Sequence, residues 1–119
     1  MHERSLVATI LKQVERIARE QRALRIRTIR LQVGELAGVE PILVQSAFDE
    51  LKAETISPDC VLMIEHVPLT ARCRDCERVV ILKELRFQCP CCHSTSLDIV
   101  EGDTVRLASI EIEEESIPE

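Results

Sequence analysis

Aromatic side chains are nearly missing from this chain: it has no Trp and no Tyr, and its two Phe are Phe48 and Phe87. The core must therefore be built mainly from aliphatic residues, within an apolar fraction of 45%. A basic excess is missing too. The formal net charge is −6, whereas nucleic-acid binders carry a positive footprint because neutralising phosphates supplies their affinity. Long apolar runs are absent: no stretch approaches the roughly 20 residues needed to cross a bilayer. Charged residues Glu3, Arg4, Lys12, Glu15 and Arg16 break up the apolar positions near the start, the pattern of an amphipathic helix and not of an export signal. Neither a nucleic-acid partner nor a membrane is expected.

What is present is cysteine, six of them in 119 residues. Six could pair as three disulfides. Two CxxC pairs without an export signal fit a metal site in a reducing compartment better, so a cytoplasmic location is expected. The length allows one domain, or one domain with a small appendage.

From residue 4 to about 22, Val7, Ile10, Leu11, Val14, Ile17 and Ala18 recur at helical spacing. Residues 26–35 alternate, with Ile29, Leu31 and Val33 on one side, and predict a half-buried strand. Pro41 suits the first turn of a second helix, where its missing N–H costs nothing. Val44, Ala47, Phe48 and Leu51 give that helix an apolar stripe to about Ala53. Ser57-Pro58-Asp59 signals a turn. Strands are predicted at 60–67, ended by Pro68, and at 104–113, followed by an acidic, frayed tail. The pattern is an α+β fold: two helices packed on a small, about three-stranded sheet, with an inserted four-cysteine zinc-ribbon-like lobe. The expected division is a discontinuous body, 1–69 plus 101–119, and a zinc-binding domain at 70–100.

The local signal for that lobe is Cys73-Arg-Asp-Cys76, a twelve-residue spacer, then Cys89-Pro-Cys-Cys92. Each CxxC turn aims two sulfurs at one point, and two turns complete the tetrahedral four-sulfur shell that Zn²⁺ accepts. The spacer holds Val79, Val80, Ile81, Leu82, Leu85 and Phe87, enough for a short hairpin. A closed shell leaves no open coordination position, so the zinc reads as structural and the chain as no enzyme. Two rivals remain. A thiol redox CxxC is disfavoured by the paired spacing. A zinc-ribbon protein binding nucleic acid or transcription machinery would use Arg72, Arg74, Arg78, Lys83 and Arg86, but Asp75, Glu77 and Glu84 interleave with them. Cys91 reads as a spare thiol, Cys60 as a small buried hydrophobe on a strand, and His66 as an ordinary strand residue. His93 reads as a neighbour of the site or an occasional ligand.

The chain opens Met1-His2-Glu3. An α-amine, deprotonated backbone amides and the His2 imidazole can place four nitrogens in a plane, the geometry favoured by Ni(II) or Cu(II), with Glu3 able to add an oxygen. On its own, a histidine at position 2 reads as an exposed residue near a chain end.

Together, Met1-His2-Glu3, Val33-Gly34-Glu35-Leu36 leading to Gly38-Val39-Glu40-Pro41, and the paired CxxC knuckles resemble the HypA/HybF family of hydrogenase-maturation nickel metallochaperones. The resemblance runs from Met1 to near Glu113. It implies a protein that delivers Ni²⁺ to the large subunit of nickel–iron hydrogenase with a HypB-type GTPase; some members serve urease maturation. It implies nickel at Met1, His2 and Glu3, with Glu40 as a further residue near that site. It implies structural Zn²⁺ at Cys73, Cys76, Cys89 and Cys92. Cys91 departs from the family pattern, which usually has a non-cysteine residue between the proline and the last ligand.

Overall fold

The computed structural model describes residues 3–54 and 57–114. Met1, His2 and the acidic tail beyond 114 lie outside the described residues. Helix α1 covers Glu3–Glu20 and buries Val7, Ile10, Leu11, Val14 and Ala18 along one stripe. Glu3 in its first turn and Arg19 in its last complement the helix dipole. Arg22, at φ 54, turns the chain into strand β1, Ala23–Gly34. β1 starts three residues before the expected strand. Ile26 is buried as well as Ile29, Leu31 and Val33, so the alternation slips by one residue after Ile26.

Helix α2 covers Pro41–Leu51, with Pro at its first turn as expected and Glu40 as its N-cap. A 3₁₀ turn, Lys52–Glu54, takes up the remainder of the predicted helix. Ser57 is buried, and its Oγ accepts a hydrogen bond from the Ile26 N–H at 2.5 Å. The Ser-Pro-Asp turn is thus also a tether to β1. Strand β2 covers Val61–Val67. Then come β3 (Thr70–Cys73), β4 (Val79–Ile81), β5 (Leu97–Glu101) and β6 (Val105–Glu114).

Two three-stranded sheets result, in the orders β2-β1-β6 and β4-β3-β5. The expected α+β fold holds. In the first sheet Gln32 reaches Glu65 and the Glu35 N–H donates to Val67 O, so β1 and β2 advance together as parallel strands. Such a pair needs a crossover, and α2 supplies it. Gly34 N–H to Thr104 O and Leu36 N–H to Gly102 O run the opposite way and make β6 antiparallel to β1.

The chain forms two compact units: Met1–Leu31, Val39–Ile64 and Leu107–Glu119 in one, Gln32–Gly38 and Glu65–Arg106 in the other. In the first unit α1 packs on α2. Arg4 pairs with Glu50, while Lys12 and Glu15 line a shallow cavity with Leu51 and Glu54. The Arg4–Glu50 pair joins the first turn of α1 to the last turn of α2.

In the second unit the Val33-Gly34-Glu35-Leu36 stretch acquires a physical reason. A Cβ on Gly34 would overlap the Gly102 carbonyl, and a Cβ on Gly102 would overlap the Pro68 carbonyl. Three backbones cross with no room for a side chain. Glu35 then accepts the Leu69 N–H at 3.3 Å, fixing the step from β2 to β3. Gly102 also sits at φ +95, where L-residues are strained. Gly102→Ala is expected to cost about 2–4 kcal/mol, combining backbone strain and overpacking. A shift of the urea midpoint at unchanged slope would measure it.

Candidate metal centre

The second unit has a core of Leu69, Ala71, Cys73, Val80, Leu82 and Cys89, with Cys76 and Leu97 packed against it. Two of the four knuckle cysteines are thus themselves core residues, fully buried. The spacer does not form a hairpin of its own. It contributes β4, which pairs with β3 through Ala71↔Val80, so the hairpin brackets the first knuckle. The reason is that β3 also pairs with β5, which makes it the centre of a sheet. The sequence between the knuckles gave no hint of that second partner.

The two knuckles have the same backbone design. After Cys76 the chain turns through Glu77 at φ 63, and after Cys92 through His93 at φ 65. The Glu77 N–H donates to Cys73 O and the His93 N–H to Cys89 O, both at 2.9 Å. The Cys73 N–H donates to Arg78 O and the Cys89 N–H to Ser94 O, closing each loop. His93 is therefore the turn residue equivalent to Glu77.

All four sulfurs lie within 4.8 Å of one another. Cys73 and Cys92 stand 3.5 Å apart, and Cys76 and Cys89 3.7 Å. A disulfide would need about 2.05 Å. A tetrahedral zinc with bonds of about 2.3 Å would space its sulfurs about 3.8 Å apart. The donor set fits a zinc ion.

Electrostatics point the same way. Backbone N–H groups of Cys92 and Cys91 hold the Cys89 thiol at about 6, below the ordinary 9.0. The Cys76 N–H lowers Cys73. At Cys92 the Ser94 N–H pulls downward, but the Cys73 sulfur and burial outweigh it and push the thiol up to about 12. Cys76 is raised as well, by burial and neighbouring sulfurs acting against the Arg78 N–H. Without a cation four thiolates cannot gather at one point; a divalent ion removes the obstacle.

Around the cluster lie residues that sequence reasoning left without a role. The Arg78 guanidinium is held charged chiefly by its side-chain hydrogen bond to Cys91. Arg74 grips Asp98 with two nitrogens at 2.7–3.1 Å, tying the first knuckle to β5. The nearest signal for that tie was the interleaving of acids among the arginines. Cys91 is exposed and Cys60 buried, with the Cys60 thiol pushed up chiefly by burial. His66 is exposed on β2.

Of the expected nickel residues, Met1 and His2 lie outside the described residues. Glu3 opens α1 half-buried, and Glu40 caps α2 with an exposed side chain that makes no cap bond. Each stands at the N-terminal end of its own helix.

Fold and site define a small metal-binding protein with a two-knuckle, four-cysteine centre. A family model described as "Hydrogenase/urease nickel incorporation, metallochaperone, hypA" matches residues 1–112. The chain belongs to this HypA family. A hydrogenase maturation factor HypA of Shewanella oneidensis is 32% identical over 114 residues, covering 96% of this chain and 97% of the relative. That of Aquifex aeolicus is 35% identical over 113 residues, covering 95% and 98%. Among solved structures, the nickel metallochaperone HypA from Helicobacter pylori aligns with a TM-score of 0.72 and 30% identity, over 97% of this chain and 100% of that one.

Proposed function

We propose that this protein carries Ni²⁺ as cargo on Met1, His2 and Glu3 and hands it to the large subunit of nickel–iron hydrogenase during maturation. The observation that carries this reading is the single family match over residues 1–112, which includes both metal motifs in order. Cys73, Cys76, Cys89 and Cys92 hold a structural Zn²⁺. A HypB-type GTPase is the expected working partner, in the cytoplasm, and urease maturation factors are an alternative route for the cargo. The protein moves an ion and catalyses no bond-making.

The two sites suit different tasks. The α-amine and imidazole of a chain end can be displaced one donor at a time by a recipient's ligands. Glu40, exposed at the N-terminus of α2, is the further carboxylate proposed to join during loading or release. The cysteine shell offers no such opening, since two of its ligands are buried core residues. A mild chelator titrated into protein carrying both metals should strip nickel first and leave one zinc per chain. Loss of zinc ahead of nickel would overturn the assignment of roles.

A further inference from the structure

Phe87 is one of the two aromatic residues of the chain, and it is 48% exposed. Ile81 and Leu85, on the same segment of the second unit, are exposed as well, so the segment carries an apolar strip along the chain. Beside this strip opens a cavity of about 460 Å³, with Ile81, Leu82 and Pro90 as apolar wall and Lys83 and Arg86 as cations. Among the described residues no carboxylate lines it. Glu84 lies between the two cations in sequence yet is not part of the lining. Glu84 and Leu85 both take left-handed backbone, at φ 55 and 56, in the turn that separates Lys83 from Arg86. Consecutive strained residues persist where something other than local stability retains them.

Charge decides what would sit there. The protein as a whole is at −6, and among the described residues six of its twelve arginines pair with a carboxylate. Lys83 and Arg86 have none among the described residues, while Arg4, Arg25, Arg30 and Arg74 do. An apolar strip with an exposed aromatic anchor and unpaired cations at its side has the composition of a protein-docking site. We infer that the cavity and the Ile81–Phe87 strip dock an acidic, partly apolar segment of a partner protein, with its carboxylates on Lys83 and Arg86 and an apolar side chain against Phe87. This inference stands apart from the nickel reading, because none of its residues belongs to the N-terminal site. It does depend on the metal centre, since Cys89 and Pro90 of the second knuckle form part of the wall.

The test uses the zinc-loaded full chain and a labelled peptide alternating Glu with Leu and Phe, beside a control peptide carrying Lys for Glu. Amide-shift mapping should place the acidic peptide on residues 81–93 with a Kd of order 10–100 µM, weakening as salt rises. Lys83→Glu with Arg86→Glu should weaken it about tenfold or more, and should gain affinity for the Lys peptide. Phe87→Ser should weaken it about tenfold while zinc stays at one per chain. Equal binding of both peptides, shifts elsewhere on the protein, or no binding at millimolar peptide would overturn the inference. So would displacement of the peptide by millimolar inorganic phosphate, which would make the cavity a small-anion site. Self-association that disappears in the double charge reversal would assign the surface to a second copy, and would overturn it equally.

Discussion

Replacing His2 by alanine is expected to lower nickel affinity at least about a hundredfold and to leave zinc at one ion per chain. Outer-shell partners of metal ligands are already worth roughly 10–100-fold in affinity, so removing a ligand outright costs no less. An extension of a few residues ahead of Met1 should have the same effect by a different route. It converts the α-amine to an amide and moves the chain end away from the imidazole, while His2 and Glu3 keep their identity. The pair separates two roles: an imidazole acting alone would survive the extension, whereas a chelate built on the chain end survives neither change. Calorimetric nickel titration with parallel zinc counting measures both. Nickel uptake by either variant at the parent's affinity would remove the proposed cargo site. Protons compete for every donor, so uptake should also fall as pH drops through the range where amines and imidazoles ordinarily protonate, about 8 to 6.

Glu40→Gln probes a subtler contribution. It keeps the N-cap position of α2 and its backbone, because the side chain makes no cap bond, and changes only the charge at the start of that helix. The contrast with Glu3 is useful. Glu3 also favours the α1 N-terminus electrostatically, so its removal mixes helix stability with any role at the metal.

The helices and the first sheet were legible because their burial follows simple periods. The stripe from Val7 to Ala18 and the alternation of Ile29, Leu31 and Val33 each reflect one repeated geometry, and Pro41 marks a helix start by covalent constraint. The cysteine site was legible for a related reason: the CxxC spacing is itself a local geometry. What escaped were features that depend on partners remote in sequence. Ser57 reads as a turn residue until Ile26 supplies the N–H it accepts. Gly102 leaves no room for a side chain on Gly34 across 67 intervening positions, Pro68 leaves none on Gly102, and no neighbourhood announces either. β4 looked like half of a hairpin because the spacer alone cannot show that β3 lies between β4 and β5. His93 read as an exposed neighbour of the site, and it is exposed, but its position directly after Cys92 does not reveal that it carries the left-handed turn of the knuckle.

Removing the metal should do the most damage to the second unit. Its core holds six buried residues, and two of them, Cys73 and Cys89, are ligands. So few apolar side chains cannot offset the ordering of that stretch at roughly 1–2 kcal/mol per residue. Bound structural zinc supplies apparent energies on the order of 10–16 kcal/mol in finger peptides, enough to decide the balance. Cys89→Ser, or a strong chelator, should therefore abolish amide protection over 70–101 and leave protection within Glu3–Glu20 and Pro41–Leu51. Cys91→Ser and Cys60→Ser are the controls: both should keep one zinc per chain, the second losing only about 1–2 kcal/mol as a buried thiol replaced by a hydroxyl. Acid should mimic the chelator. A thiol whose folded value is depressed contributes stability above its unfolded value and loses it as pH falls through the folded one. Cys89, held near 6 against an ordinary 9.0 even without metal, gives up its share on descending through about 6. Zinc lowers the point further for all four, so the loaded unit should survive to lower pH than the stripped one. If hydrogen exchange over 70–101 proved indifferent to metal and to Cys89→Ser, the unit would have to be held by packing alone, which its six-residue core does not supply.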